Sequence, residues 1–475
     1  MTRDDAASAL GKAGPSAYGR ETMDPRQDSR NRSVFAPGFK TDPYWWEAAP
    51  PDPTAREPLP AEVDAAVIGS GFCGLACALE LARSGLQVAV LEAGPLGVGA
   101  SSRSGGMVSS GQKLVLGQAL AGFTADEAAR VLEDSRDTFE FLQSLVAREQ
   151  LDADLQLCGR FFGAWTPAHY DTLQRNAALL AKRTGVRAYV IPRERQREEI
   201  GTDLYHGGMV VEEYGGLHPA KYNRALRDAA HRAGAGLYAF AAVQGWSPDG
   251  GRLLVRTARG TLHAREVVVA TNGYTGAELP WHRRRVVPTA SYIVATEPLL
   301  PAVMDEILPR RRMVSDTRRE LSYYRPSPDG TRILFGGRPR AFGLDERRAA
   351  AGLRARLVQV WPQLRDVKLT HAWTGNVAMT FDKLPHLGRH DGAHYALGCN
   401  GNGVALMTWM GHQTALRLLG RQNRVPAFED RPFPAAPFYK DRAWFLPFVS
   451  AAYHARDFID RPAAVMAERR ARPAA

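Results

Sequence analysis

The sequence predicts an α/β protein in which a parallel-sheet domain is interwoven with an antiparallel-sheet domain. Residues 63–68 have the apolar pattern of a buried strand, residues 75–84 carry apolar side chains at helical spacing, and residues 86–92 resemble the first strand. A strand, a helix and a strand within about 30 residues require a parallel pair with a right-handed crossover. Residues 286–340 instead hold short β-like runs broken by Pro and Gly, a pattern typical of an antiparallel sheet.

The elements outside these two regions follow from local signals. Polar residues 1–43 lack periodicity, so we expect a disordered arm, anchored to the core by the aromatic cluster Tyr44-Trp45-Trp46. Thr124 and Glu127 form a capping box, which predicts a helix running toward Arg148. Further helices are predicted after Thr166, with Gly185 as the end of that helix, after His218 and over residues 404–419. Further strands are predicted over residues 253–256, 266–270 and 394–398.

The alternation of these patterns divides the chain into a parallel-sheet domain and an antiparallel-sheet domain, each built from several segments. We expect the arm at 1–43, the parallel-sheet domain at 44–112, 215–284 and 376–425, the antiparallel-sheet domain at 113–214 and 285–375, and a C-terminal extension at 426–475.

Composition narrows the class of protein. The 475 residues are 45% hydrophobic and 23% charged, which is sufficient for a sizeable core. No apolar run has the length of a membrane span, no secretory signal is visible, and four cysteines do not make a disulfide framework. We therefore expect a soluble protein of the cytoplasm, with unknown oligomeric state.

The net charge of +11 could indicate a nucleic-acid partner. However, the densest basic clusters, at 283–285, 310–312 and 469–470, are not interleaved with aromatic side chains on which bases would stack. A solvated, arginine-rich surface is the simpler interpretation, and we expect no nucleic acid.

The strongest chemical signal is the motif Gly69-x-Gly71-x-x-Gly74 between the first strand and the first helix. These glycines permit a tight turn, a close approach of backbone to a diphosphate, and close packing of helix on strand. Glu92 ends the second strand, where an acid accepts hydrogen bonds from ribose hydroxyls and repels a 2′-phosphate. The pattern predicts a Rossmann-type dinucleotide site that takes FAD or NAD rather than NADP.

A second glycine-rich stretch, residues 94–111, surrounds Ser101-Ser102-Arg103-Ser104. Such a stretch allows backbone to press against a flat ring or a sugar phosphate, and Arg103 could reach the diphosphate. A flexible surface loop is the alternative interpretation.

Residues 65–75 and 99–106 together resemble the FAD-dependent D-amino-acid oxidase superfamily, in particular its gamma-glutamylputrescine oxidoreductase-like and glycine/sarcosine-oxidase-like members. The resemblance extends over residues 44–425 and includes, in the expected order, segments 267–273, 296–299, 323–326, 381–388 and 398–404. It implies a Rossmann-type FAD-binding domain, an interwoven antiparallel substrate domain, and FAD as the cofactor.

The resemblance also implies roles for individual residues. The diphosphate would be held by the first turn, the ribose by Glu92, the ribityl chain and flavin by the second glycine-rich stretch, and the adenine by the backbone of Val243, with Thr271 near the cofactor. The last glycine-rich segment would direct a helix N-terminus at the pyrimidine end of the flavin. The complete set is Gly69, Gly71, Phe72, Cys73, Gly74, Glu92, Ser101, Ser102, Arg103, Met107, Val243, Thr271, Gly401, Asn402, Gly403 and Val404.

The chain departs from the family pattern at two places. Asn402 stands where many relatives carry His, and an amide cannot become a cation near neutral pH. Some sarcosine oxidases attach flavin to a cysteine that precedes a strand like His371-Ala372-Trp373-Thr374. No cysteine occurs there, so noncovalent FAD is expected.

The sequence also offers candidates for the side chains that bind the substrate. Tyr324 and Trp373 are our candidates for placing the substrate, although they, like Tyr292 and Tyr323, are equally compatible with sheet packing. No metal site is expected, because Gly388 and Gly392 interrupt the spacing of the nearby histidines and Cys73 with Cys77 fits core filling.

The function implied is oxidation of the C–N bond of an amine or amino acid, with hydride transfer to flavin, hydrolysis of the imine and reoxidation by O2 or another acceptor. A pyridine-nucleotide-linked reductase or monooxygenase is the alternative, but no second glycine motif occurs in a β-α-β setting. A basic nucleic-acid-binding protein is the non-enzymatic alternative.

Overall fold

The computed structural model describes residues 34–55, 57–110, 123–338, 344–440 and 443–471, with side chains to residue 461. The strands of these ranges are β1 (Phe35–Lys40), β2 (Glu62–Ile68), β3 (Val88–Leu91), β4 (Met107–Val108), β5 (Arg160–Gly163), β6 (Ala188–Ile191), β7 (Gly208–Val211), β8 (Gly215–Gly216), β9 (Gly236–Tyr238), β10 (Val243–Asp249), β11 (Arg252–Thr257), β12 (Gly260–Val269), β13 (Val287–Thr296), β14 (Met313–Asp316), β15 (Tyr323–Pro326), β16 (Ile333–Gly337), β17 (Leu369–Met379), β18 (His386–His390) and β19 (Ala393–Leu397). The helices are α1 (Phe72–Arg83), α2 (Ala100–Arg103), α3 (Ala125–Arg148), α4 (Pro167–Thr184), α5 (Pro219–Arg232), α6 (Pro280–Arg283), α7 (Pro301–Ile307), α8 (Glu346–Val360), α9 (Gly403–Leu418) and α10 (Leu446–Ala471).

The predicted α/β class is confirmed. In the first sheet β9, β3, β2 and β12 lie side by side and run parallel, and β19 pairs in parallel with the end of β12. Alternate residues of β2 belong to two separate hydrophobic clusters, so both faces of this sheet are covered. Helices α1 and α9 pack on it, which brings two helix N-termini to the same edge of the sheet.

The second sheet has the order β1-β17-β13-β16-β15-β14-β5-β7-β6. Most of its neighbours are antiparallel, whereas β1 with β17 and β14 with β5 are parallel pairs. The strands of this sheet alternate along the chain with those of the first, so that the two sheets are interwoven. Helix α8 covers one face through a cluster that includes Leu353, Leu357 and Phe335.

Local signals predicted most helix ends correctly. Thr124 and Glu127 make the reciprocal bonds of a capping box at the start of α3. Thr166 caps α4, and Gly185 ends that helix with φ +74°, a conformation that favours glycine. Helix α1 begins at Phe72, three residues earlier than the apolar spacing indicated, because Gly71 serves as its N-cap.

The chain departs from the expected disordered arm at residues 34–43, where β1 pairs with β17. Phe35 and Phe39 pack against the substrate-domain core, and the guanidinium of Arg347 lies 5.3 and 4.8 Å from their ring centres. These tertiary contacts order a segment that has no periodicity of its own. Residues 1–33 of the expected arm, and the predicted segment around Gly111, lie outside the described residues.

Trp45 anchors the start of the core as expected. Its ring is fully buried, and its indole Nε1 donates to the carbonyl of Ser104 at 2.9 Å. Trp46 Nε1 donates to Ser102 Oγ at 2.9 Å. The aromatic cluster therefore fixes the second glycine-rich stretch. None of the helices in the described ranges combines the length and hydropathy needed to cross a membrane.

Candidate active site

The first glycine-rich turn lies between β2 and α1 and leaves no room for side chains. Gly69 has φ +107°, a conformation that residues with a Cβ rarely adopt. A Cβ on Gly74 would lie 2.0 Å from the carbonyl oxygen of Gly69, and one on Gly71 would lie 3.0 Å from Ser101 Oγ. The turn therefore presents backbone without side chains at its three glycine positions, as a diphosphate site requires.

The start of α1 faces a cavity of about 370 Å³. Gly71, Phe72 and Cys73 line this cavity, and the N–H of Phe72 donates to Ser101 Oγ at 3.0 Å. The partial positive charge at a helix N-terminus favours a phosphate at this position.

Glu92 is held against the same turn at the end of β3. Its Oε2 accepts from the backbone N–H of Ser70 at 2.9 Å and from Ser70 Oγ at 2.7 Å, and its Oε1 accepts from Gly94 N at 3.3 Å. The backbone carbonyl of Glu92 accepts from Ala241, two residues before Val243. Glu92 and Val243 are thus near each other at one end of the turn but outside the cavity lining, and their roles toward ribose and adenine stay predictions.

The second glycine-rich stretch forms another wall of the cavity. Ser101, Arg103 and Met107 line it, whereas Ser102 is buried and its Oγ donates to Gly97 O at 2.5 Å. The Arg103 guanidinium is engaged by carbonyls, with Nε on Val98 O at 2.8 Å and Nη1 on Thr374 O at 3.2 Å. Arg103 thus positions this stretch as well as lining the cavity.

A second helix N-terminus meets the cavity at α9. Gly401, Asn402, Gly403 and Val404 line the cavity, and Asn402 at the N-cap makes no side-chain capping bond. The first N–H groups of an α-helix have no partner within the helix and can bind a ligand that accepts hydrogen bonds. This arrangement suits the pyrimidine edge of a flavin, which becomes negative on reduction.

Thr271 lies at the edge of the site. Its Oγ1 is 2.7 Å from Thr275 Oγ1, and its neighbours Ala270 and Asn272 line the cavity while Thr271 does not. Proximity to the cofactor stays a prediction for this residue.

The two candidates for substrate placement lie outside the cavity lining. Tyr324 is fully buried in the core of the substrate domain, stacks on Phe335, and shares a 2.8 Å hydrogen bond with the hydroxyl of Tyr205. Trp373 is also fully buried, and its Nε1 donates to Arg103 O at 2.7 Å. The structure therefore gives both residues packing contacts, and the adjacent Tyr323, on the opposite face of the strand, lines the cavity instead.

Tyr323 contributes a polar but uncharged side chain to the cavity lining. Its hydroxyl lies 3.0 Å from Ser291 Oγ. Burial raises the pKa of Tyr323, so the phenol stays protonated near neutral pH.

Arg160 is the functional candidate that sequence reasoning missed. This residue of β5 lines the cavity and is 8% exposed. Its Nη2 donates to Ser315 Oγ, its guanidinium lies 4.9 Å from the Phe162 ring centre, and its Nε has no hydrogen-bond partner. No carboxylate neutralises it among the described residues, and burial lowers its pKa to about 10. An unneutralised buried guanidinium favours an anionic group in the cavity.

Cys73 beside the cavity is not activated as a nucleophile. Cys73 lines the cavity, and burial raises the pKa of its thiol to about 12. Cys399 also lines it, with Sγ 3.8 Å from Ala378 O. Among the described residues, no group of three His, Cys, Asp or Glu side chains is arranged to hold a metal ion.

These features together fit FAD. The turn presents backbone at its three glycines where a diphosphate would lie, the Glu92 carboxylate lies beside the turn, and a second helix N-terminus faces the same cavity.

Comparison with known proteins gives the same result. Residues 64–417 match the sequence model of the DAO family, described as FAD dependent oxidoreductase. The chain is 31% identical to the probable oxidoreductase OrdL of Haemophilus influenzae over 78% of this chain and 86% of that protein. It is 30% identical to gamma-glutamylputrescine oxidoreductase of Escherichia coli over 82% of this chain and 92% of that protein.

A solved structure supports the fold. Glycine oxidase from Geobacillus kaustophilus superposes with a TM-score of 0.65 at 25% identity, covering 80% of this chain and all of that chain. With the family match spanning most of the sequence, the chain belongs to the DAO family of FAD-dependent oxidoreductases.

Proposed function

We propose that this chain oxidises the C–N bond of an amine or amino acid whose molecule carries an anionic group, with noncovalently bound FAD as cofactor. The relatives named gamma-glutamylputrescine oxidoreductase and glycine oxidase support the reaction class. The single observation that carries the anionic group is Arg160, a buried guanidinium that lines the cavity without an acidic partner.

When bound, FAD supplies the two-electron acceptor for this chemistry. The protein supplies placement: Arg160 would bind a carboxylate, Tyr323 would offer an uncharged hydroxyl, and the walls of the cavity would exclude water around the reacting carbon. Loss of two electrons and two protons converts the amine to an imine. Water then hydrolyses the imine to a carbonyl compound and an amine or ammonia, and O2 or another acceptor takes up the electrons.

The cysteine chemistry supports noncovalent FAD. The thiol of Cys73 is protonated at neutral pH, and no cysteine occurs directly before the segment His371-Ala372-Trp373-Thr374 of β17. Acid precipitation should therefore leave the yellow colour in the supernatant. Colour that stays with the precipitated chain would show a covalent bond.

The test of the reaction class is anaerobic mixing with a panel of amines and amino acids while the flavin absorbance is followed. Bleaching by a member that bears a carboxylate is the expected result. Bleaching by NADH at a catalytic rate, with none by any amine, would overturn the proposal. A peroxide assay and an artificial acceptor then separate oxidase from dehydrogenase, and cell fractionation tests the proposed cytoplasmic location.

A further inference from the structure

The C-terminal helix α10 lies outside residues 64–417, which match the family, yet it reaches the candidate active site. Tyr453 of this helix lines the same cavity as Phe72 and Asn402. A segment that the family pattern does not include thus contributes an aromatic side chain to the wall of the cavity.

Helix α10 is held over the cavity by a buried carboxylate. Asp457 is 8% exposed and accepts from the backbone N–H of Arg319 at 3.2 Å and of Glu320 at 3.3 Å. The Arg319 guanidinium lies 3.3 Å from Asp457 and 2.6 Å from Asp460. Hydrogen bonds to a charged acceptor are stronger than those between neutral groups, so this contact fixes the helix on the loop between β14 and β15.

Further contacts fix the rotation of the helix. Ser450 Oγ donates to Glu320 Oε1 at 3.1 Å, and Trp165 Nε1 donates to the carbonyl of Asp457 at 3.4 Å. The Arg461 guanidinium lies 4.0 Å from the Trp165 ring centre. Ser450, Asp457 and Arg461 recur at helical spacing and share one face of the helix with Tyr453, so these contacts keep Tyr453 toward the cavity.

The charged groups that the structure describes in this wall leave no unpaired cation beside Tyr453. Arg319 is paired with two carboxylates of α10. Glu320 accepts from Ser450 through Oε1, while its Oε2 is buried without a hydrogen-bond partner. Tyr453 and Leu321 supply the aromatic and apolar surface of this wall. Such a wall disfavours an anionic substituent and favours an apolar or aromatic one.

We propose that Tyr453 is a specificity-determining residue that contacts an apolar or aromatic substituent of the substrate, and that Asp457 is the positioning residue that holds Tyr453 there. The proposal rests on the proposed function only in taking this cavity as the substrate site. It adds the class of substituent and assigns it to a segment outside the family match.

The experiment compares two probes that cannot be oxidised, acetate and phenylacetate, by the change each produces in the flavin absorbance spectrum of the holoenzyme. Phenylacetate should bind more tightly to the wild type. Tyr453→Ala should weaken phenylacetate by about threefold to tenfold, the range measured for aromatic contacts, and leave acetate unchanged. Tyr453→Phe keeps the ring and should keep the preference.

Tyr189→Ala is the matched control, because Tyr189 is 38% exposed, Tyr453 is 37% exposed, and Tyr189 does not line the cavity. Asp457→Ala should increase the quenching of flavin fluorescence by iodide and lower the preference for phenylacetate. Because Tyr453 is partly exposed, its variants keep the test valid if Asp457→Ala fails to fold.

A wild type without preference for phenylacetate, or a preference that survives Tyr453→Ala, would overturn the proposal. The outcome is separable from the proposed function. If no amine reduces the flavin while Tyr453→Ala still weakens phenylacetate, the reaction class is wrong and the subsite stands. If wild type and Tyr453→Ala both oxidise the enantiomers of alanine and phenylalanine, and show the same preference between the two amino acids, the reaction class stands and the subsite is refuted.

Discussion

Replacing Arg160 by Met should stabilise the protein while weakening ligand binding. Burial lowers the pKa of Arg160 to about 10, and at about 1.4 kcal/mol per pKa unit this corresponds to a cost on the order of 3 kcal/mol for keeping the charge buried. The variant loses the bond to Ser315, in which the guanidinium is a charged donor and which contributes about 1.5–3 kcal/mol. The net expectation is a gain of roughly 0–1.5 kcal/mol in the free energy of unfolding.

The sign of the pH dependence supports this expectation. A folded-state pKa below the ordinary value of arginine means that the protonated form opposes folding at every pH below about 10. The gain in stability from Arg160→Met should therefore be constant between pH 6 and 8. This whole range lies roughly 2 pH units or more below the folded-state pKa, so Arg160 stays protonated throughout. Urea denaturation of wild type and variant, both without added ligand, measures it.

Binding should change in the opposite direction. A charge-assisted hydrogen bond contributes about 1.5–3 kcal/mol, so Arg160→Met should weaken acetate binding by roughly 10- to 150-fold. Arg160→Lys keeps the charge without the planar guanidinium, so its affinity for acetate should lie between those of the wild type and Arg160→Met. A variant that is destabilised and binds acetate like the wild type would refute the reasoning, since the guanidinium would then be a structural group.

Three further predictions concern the turn, a buried acid and the tyrosine pair. Gly74→Ala should lose FAD and unfold more easily, because its Cβ would lie 2.0 Å from a backbone oxygen. Gly99→Ala, whose Cβ meets nothing within 3.8 Å, should keep both its FAD and its stability. The ratio of visible to ultraviolet absorbance measures the FAD content. Burial raises the pKa of Asp134 to about 6, above its unfolded value, so the free energy of unfolding should fall as pH rises from 4 to 6. Asp134→Asn should remove that pH dependence in urea titrations. An unchanged pH dependence in the variant would contradict the raised pKa. Tyr323→Phe should alter KM for the substrate with little loss of stability. Tyr324→Phe should lower the free energy of unfolding by about 1 kcal/mol and leave KM unchanged. The reverse pattern would show that Tyr324, and not Tyr323, contacts the substrate.

The sequence was most informative where the structure depends on neighbouring residues. The turn at Gly69 and Gly74, the cap at Thr124 and the end of α4 at Gly185 are each decided within a few residues, and each was predicted. The family resemblance then placed the last glycine-rich segment, which indeed meets the cavity at the start of α9.

The sequence was least informative where distant segments meet. In Tyr323-Tyr324 either ring could face the cavity, and only the packing of Tyr324 against Phe335 decides the face. Arg160 is one of 61 Lys and Arg residues, and nothing in its local sequence marks it as buried beside a cavity. Tyr453 reaches the site through contacts between distant segments, among them the bonds of Asp457 to a loop 137 and 138 residues away.

The most direct test of the central claim is the FAD content of the freshly purified full-length chain, measured by visible absorbance and by chromatography of the released pigment. We expect about one FAD per chain, as for a single Rossmann-type site, and a large loss of pigment in Gly74→Ala. A folded wild-type protein that is colourless and takes up no FAD when it is supplied would contradict the assignment of an FAD site to this cavity.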